Sequence, residues 1–301
     1  MDEVIKQETG EGWAFYNGDC CEVIRGIPDE SIHMSVFSPP FASLYTYSNS
    51  DRDMGNCQTH EQFFEHFNFL VPELLRVIMP GRICAVHCMN LPTSKERDGF
   101  IGIRDFRGQL IRSFVDQGWV YHSEVCIWKD PVTAMQRTKA LGLLHKQLKK
   151  DACMSRQGIP DTLLVFRKPG QNPEPVTNTN ETFPVAMWQR YASPVWATFH
   201  DDGSFTEDIR ATETLQSMAE EKDERHICPL QLDVIERAVR LWSNEGDTVL
   251  SPFGGIASEG YQSLIMGRRF VGIELKEAYW MQGCKNLRRA EVRVAEKGLF
   301  A

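Results

Sequence analysis

The chain has no run of about 18 apolar residues, so no membrane span is expected. It has no Cys-x-x-Cys pair, and its nine cysteines are odd in number. That argues against a zinc site or a disulfide framework and for reduced core thiols of a cytoplasmic protein. The opening residues, Met1-Asp2-Glu3-Val4-Ile5-Lys6, lack a signal-peptide pattern. No repeat or low-complexity tract is visible. Gly-x-Gly-x-x-Gly and the P-loop lysine are both missing, which speaks against a nicotinamide cofactor or ATP. Positive charge is in deficit, with 33 Lys and Arg against 41 Asp and Glu and a net charge of −8. A generally basic, nucleic-acid-binding coat is therefore excluded.

What is present supports a real core. Hydrophobic residues make up 42% of 301 positions, enough for one large domain or a domain with an insert. Charge is uneven. Between Gln136 and Lys168 lie Arg137, Lys139, Lys146, Lys149, Lys150, Arg156, Arg167 and Lys168, opposed only by Asp151 and Asp161. Residues 200–225 are strongly acidic instead. A basic stripe on an acidic protein suits a phosphate backbone.

The pattern centres on Ser38-Pro39-Pro40-Phe41. An apolar run over 32–37 predicts a short buried strand, and two prolines forbid its continuation. The product is a rigid corner carrying a hydroxyl, a carbonyl and an aromatic ring at the end of a sheet where ligands bind. Before it, Trp13 to Tyr16 predicts a strand and Cys20 to Ile27 one short helix. After it, 42–59 predicts a mobile loop. His60 to Met79 has helical spacing, with Pro72 expected to kink or split it, and Pro80-Gly81 expected to end it before a strand over 82–88. A helix is predicted over 104–117 and strands over 119–128 and 161–166, able to pair antiparallel. Pro169 to Thr182 predicts an extended linker, followed by a small module packed around Trp188, Tyr191 and Trp196.

Regular periodicity returns at Leu230: a helix over 231–242, a strand over 247–250, a helix over 256–266, a strand over 270–273 and a long helix from Lys276. Ser251-Pro252-Phe253-Gly254-Gly255 joins the first of these strands to its helix, and glycines there let a ligand approach the backbone. Glu274 follows Gly255 by 19 residues, the spacing at which a carboxylate meets ribose hydroxyls. This βαβ unit predicts a nucleoside-type cofactor, S-adenosyl-L-methionine ahead of the others.

A Ser-Pro-Pro-Phe corner early and a Pro-Phe-Gly-Gly turn late resemble the amino-methylating DNA methyltransferases in their β-class, permuted order. With Ser48 to Asn56 between them, the pair looks most like methylases of phages and prophages. The resemblance implies an α/β fold of the class I methyltransferase kind: a mostly parallel seven-stranded sheet with one antiparallel strand, helices on both faces and a small target-recognition insert. It divides the chain into a catalytic half over 1–168 with a basic segment at 131–160, a linker and recognition module over 169–225, and a cofactor half over 226–301. Asn17-Gly18-Asp19-Cys20 and Cys228-Pro229-Leu230 are similar to further cofactor segments of the family. The implied cofactor residues are thus Asp19, Cys20, Cys228, Pro229, Leu230, Ser251, Pro252, Phe253, Gly255 and Glu274. Ser251 departs from the commoner Asp-Pro-Phe, and Ala257 stands where the family has a second glycine.

The implied reaction methylates the exocyclic amine of a flipped base in double-stranded DNA, cytosine N4 ahead of adenine N6. Ser38 and the Pro39 carbonyl would accept the amine's N–H bonds, with the proton leaving to solvent, while Pro40 stiffens the corner and Phe41 stacks on the base. Arg137, Lys139, Lys146, Lys149, Lys150 and Arg156 would meet phosphates. The resemblance names no metal. It leaves open a homodimer and a restriction endonuclease as partners, and its rival is a catalytically silent DNA-binding protein of the same fold.

Overall fold

Alternation of buried residues along Ile32–Phe37 decides how the sheet is covered. Phe37 packs into one apolar cluster with Phe63, Phe67, Leu110 and Phe114, whereas Met34 and Val36 pack into another with Val234, Ile235 and Val239. A strand clad on both faces must lie inside an α/β sandwich. The computed structural model describes residues 4–41, 53–57, 59–129, 131–132, 141–199, 205–207, 215 and 230–299. The expected 42–52 part of the loop, Arg137, Lys139, Cys228 and Pro229 lie outside the described residues.

The sheet strands are β1 (Val4–Gly10), β2 (Trp13–Gly18), β3 (Ile32–Phe37), β4 (Ile78–Met89), β5 (Val120–Ile127), β6 (Asp161–Arg167), β7 (Val195–Trp196), β8 (Thr248–Ser251) and β9 (Arg269–Glu274). Their order is β1-β2-β9-β8-β3-β4-β6-β5-β7. The five strands from β2 to β4 run parallel, and β6 is antiparallel to both its neighbours. The expected seven strands are thus all present. Two more extend the edges: β1, antiparallel to β2, and β7, parallel to β5.

Helices α1 (Cys20–Val23), α2 (His60–Val77) and α3 (Phe106–Val115) cover one face. Helices α4 (Leu232–Trp242), α5 (Ser258–Ile265) and α6 (Glu277–Leu299) cover the other. The stretch Cys20 to Ile27 is not one helix, since α1 tightens into a 3₁₀ turn over Ile24–Gly26. Pro72 does not interrupt α2. It and Asn68 are both exposed, so the carbonyl that the proline strips of its partner faces water.

Further expectations change at Pro80 and at the aromatic trio. The helix ends at Val77, and β4 begins at Ile78 and runs through Pro80-Gly81. A register shift against β3 accommodates the proline there, and Gly81, at φ +72°, donates to the Lys168 carbonyl at 3.0 Å. Trp188 is 54% exposed and is not core. Trp196 is fully buried, but in the main sheet as part of β7, with the Arg237 guanidinium 5.4 Å from its ring. The aromatic trio therefore does not pack as a separate core, because β7 carries Trp196 into the sheet edge.

At the amino ends of the central strands, buried Arg82 braces three strands. It donates to the His33 carbonyl at 2.8 Å and pairs with the buried Asp247 carboxylate just before β8. The opposite, carboxyl edge is left for ligands.

Candidate functional site

Parallel pairing sets the geometry of that edge. Val249 lies opposite Met34 and Leu250 opposite Ser35, so β8 and β3 end side by side. From β3 the chain crosses to β4 on one side, and from β8 to β9 on the other. The crevice at such a reversal of strand order is where open α/β sheets bind ligands. Ser38 and Pro252 each follow directly on one of these two strands.

A cleft of about 920 Å³, counted to its open mouth, occupies this position. Ser38, Pro39, Pro40 and Phe41 line one side of it, and Asp19, Cys20, Leu230, Pro252, Phe253, Gly255 and Glu274 line the rest. The early corner and the late glycine turn thus share one cavity. Ser251 does not reach it. It is the last residue of β8 and fully buried, with no described partner for its hydroxyl.

The glycine turn is tightly built. Gly254 donates to the Ile273 carbonyl at 2.7 Å, and a Cβ there would stand 2.6 Å from the Phe15 ring. Gly255 takes φ +51° and donates to Glu274 Oε2 at 2.8 Å, while the Lys276 N–H reaches Oε1 at 2.7 Å. Ala257, at φ +61°, adopts the left-handed conformation for which glycine is suited. Phe253 stacks on Phe67 of α2 and leans on Phe37, which fixes the turn against the core. Asp19 caps α1 by accepting from the Cys21 N–H at 2.9 Å.

Burial pushes the Glu274 carboxyl up to about 7, against the lowering effect of those two N–H donors. Glu259, at the start of α5 and also in the cleft wall, is pushed up to about 8 by burial. The cleft thus combines two carboxyls that ionise reluctantly with apolar walls from Leu230, Pro252, Ile256 and Tyr279. That combination fits a ligand bearing hydroxyl donors, a positive charge and an apolar surface. The Cys20 thiol is held far above its usual range by its hydrogen bond with Cys21 and by burial, so it is no nucleophile.

Phe41 is buried, with its ring edge-on to Phe106 and tilted against His87, and still borders the cleft. Ser38 Oγ lies 3.0 Å from His87 Nδ1, and His87 Nε2 lies 2.9 Å from Asp161 Oδ2. Of the basic stripe, Lys146, Lys149 and Lys150 are exposed on the helix His145–Lys150, and Arg156 is partly buried nearby. None of these four lines the cleft.

Several site residues escaped the sequence reading. Asp53 and Met54 stand beyond the undescribed segment and border the cleft, as do Glu259, Lys276 and Tyr279. His87 carried one faint signal, as a polar residue directly after the apolar run Ile83 to Val86.

A model of the family described as DNA methylase, of the N6 and N4 type, matches residues 32–283. Type II methyltransferase M.BamHI of Bacillus amyloliquefaciens is 23% identical over 260 residues, 86% of this chain. The match spans 54% of that enzyme, so the chain corresponds to about half the relative's length. DNA adenine methyltransferase YhdJ of Escherichia coli (strain K12) is 22% identical over 290 residues, 95% of this chain and 86% of the relative. Among solved structures, TTHA0409 of Thermus thermophilus, complexed with S-adenosyl-L-methionine, superposes with a TM-score of 0.64 at 20% identity. It covers 91% of this chain, and this chain covers 92% of it.

Proposed function

The chain belongs to the N6 and N4 DNA methylase family, and from that premise we propose that it methylates the exocyclic amine of a flipped base in double-stranded DNA. The methyl donor is S-adenosyl-L-methionine, and the favoured target is cytosine N4. One observation carries the reading: the Ser-Pro-Pro corner and the Gly254-Gly255 turn line the same cleft. Serine at the first corner position is what favours cytosine over adenine. Adenine N6 is the second reading, supported by the relative named for adenine.

Bound in the cleft, S-adenosyl-L-methionine supplies an electrophilic methyl group on a sulfonium. Glu274, held by the Gly255 and Lys276 N–H groups, receives the ribose hydroxyls. Leu230, Pro252 and Ile256 give the apolar contacts. Ser38 Oγ and the Pro39 carbonyl accept the two N–H bonds of the amine. They turn its lone pair out of conjugation and toward the methyl group, so alignment supplies much of the rate. Flipping costs on the order of a few kcal/mol, and stacking on Phe41 returns roughly 1–3 kcal/mol.

The motif order suits the β class, with 1–168 as catalytic half and 226–301 as cofactor half. We assign DNA contacts to the basic segment 131–160 and target recognition to 169–225. A bacterial or phage-infected cytoplasm suits this activity, and a restriction endonuclease is the partner enzyme it would serve.

The test is to incubate the protein with unmodified DNA and labelled cofactor, digest to nucleosides and identify the labelled base by mass. The expected product is 4-methylcytosine. Label in 6-methyladenine overturns the choice of base alone, and label in no DNA base overturns the function.

A further inference from the structure

His87 sits near the end of β4 with both ring nitrogens engaged. On one side Nδ1 meets Ser38 Oγ at 3.0 Å, and on the other Nε2 meets Asp161 Oδ2 at 2.9 Å. Asp161 opens β6 and is 1% exposed, and Lys129 Nζ lies 2.5 Å from the same carboxylate oxygen. Burial alone would raise the Asp161 carboxyl, yet the Lys129 charge and the hydrogen bonds from His87 and Lys129 hold it down at about 2. An ionised carboxylate can only accept. Nε2 therefore carries a hydrogen, and in the neutral ring that leaves the Nδ1 lone pair facing the Ser38 hydroxyl.

A serine, a histidine and a buried aspartate in line form the acyl-transfer arrangement. This corner is unsuited to that chemistry. The two residues after Ser38 are prolines, so neither offers the N–H that a developing oxyanion needs. What the line can do is move a proton inward from the cleft.

We propose that His87 is the proton acceptor of the reaction, acting through Ser38, with Asp161 and Lys129 holding it in the accepting tautomer. This rests on the methyl-transfer reading above. As the N–CH3 bond forms and the S–CH3 bond breaks, the S–C electron pair stays on sulfur. The nitrogen, positive after transfer, releases one N–H proton and keeps that pair. The proton goes to Ser38 Oγ while the serine hydroxyl proton passes to His87 Nδ1. The imidazolium so formed is stabilised by the Asp161 carboxylate that it faces. The proton is then lost to water after the methylated base leaves. His87 never touches the base and is a positioning residue.

The experiment is single-turnover methyl transfer to unmodified double-stranded DNA, with cofactor and DNA affinities and melting temperature measured in parallel. His87→Asn retains a carbonyl that can accept from Ser38 but cannot carry a proton. Its transfer rate is expected to fall by about 10²- to 10³-fold, within the range of general-base effects, with both affinities within about threefold of wild type. In His87→Ala, added imidazole is expected to raise the rate in proportion to its concentration. A His87→Asn rate within about threefold of wild type means that the ring only holds Ser38, and overturns the proposal. Should His87→Asn lose its cooperative melt, Lys129→Met decides. Lys129 is 26% exposed in its side chain, and this variant is expected to lose about tenfold in rate at unchanged affinities; an unchanged rate overturns the relay. Wild-type protein that methylates no DNA overturns the functional reading itself, and with it the relay, a failure told apart by the wild-type control.

Discussion

The Ser35 hydroxyl donates to the Leu250 carbonyl at 2.9 Å, joining residues 215 apart in sequence. It ties β3 to β8 just before the chain leaves each strand for the cleft. Ser35 is fully buried, so the bond has no competition from water. Ser35→Ala is expected to lower stability by about 1 kcal/mol, read as a lower urea midpoint with unchanged slope.

Glu274 sets a pH dependence for cofactor binding. Its carboxyl is raised to about 7, foremost by burial, so in the empty cleft it is largely protonated below that pH. In the proposed role, the ribose hydroxyls donate to the carboxylate. Affinity for S-adenosyl-L-methionine should therefore fall by up to about tenfold for each pH unit below 7 and level off above 8, measured by calorimetry. Glu274→Gln should flatten the profile. For the empty protein the sign is opposite. A carboxyl raised on folding stabilises the fold in acid, and that benefit is lost as pH rises from the ordinary value of 4.5 through 7. The ligand-free melting temperature should fall over that window.

Gly254→Ala tests the glycine turn. The new Cβ would meet the Phe15 ring at 2.6 Å and the Ile273 carbonyl at 3.2 Å. Phe15 is fully buried and cannot swing aside. Overpacking of this kind costs about 1–3 kcal/mol. Cofactor affinity should drop with it, since the displaced turn carries Gly255 away from Glu274.

Lys146, Lys149 and Lys150 are exposed on the helix His145–Lys150. Replacing all three by alanine should weaken DNA binding. It should also reduce the slope of log K against log salt by up to about 0.9 for each phosphate no longer neutralised. Cofactor affinity should not change, because none of the three lines the cleft.

The parts legible in the sequence were those with local cause. Proline pairs stop strands and glycine pairs permit tight turns, so Ser38 to Phe41 and Pro252 to Gly255 declared themselves before any tertiary contact was known. β1 declared nothing, because its residues are mostly exposed and do not alternate. The start of β4 was hidden by Pro80, which normally ends a strand and here sits at a register shift that only pairing with β3 reveals. The same holds for the proton line. His87 and Asp161 lie on antiparallel neighbours 74 residues apart, and Ser38 lies 49 residues from His87. An imidazole inside an apolar run reads as core until those pairings exist. Ser251 misled for a related reason. Its place in the motif pointed to the ligand, but as the final residue of a buried strand it is sealed beneath the turn.

Pro39 and Pro40 bring only carbonyl oxygens to the corner, and in the proposed relay the Ser38 hydrogen is turned toward His87. On the functional reading above, uracil or hypoxanthine placed here would set an oxo group against these lone pairs, oxygen facing oxygen. Such deaminated bases would be repelled from the pocket, whatever sequence surrounded them. On that reading, the backbone donors missing from two consecutive residues would act as a filter against damaged DNA.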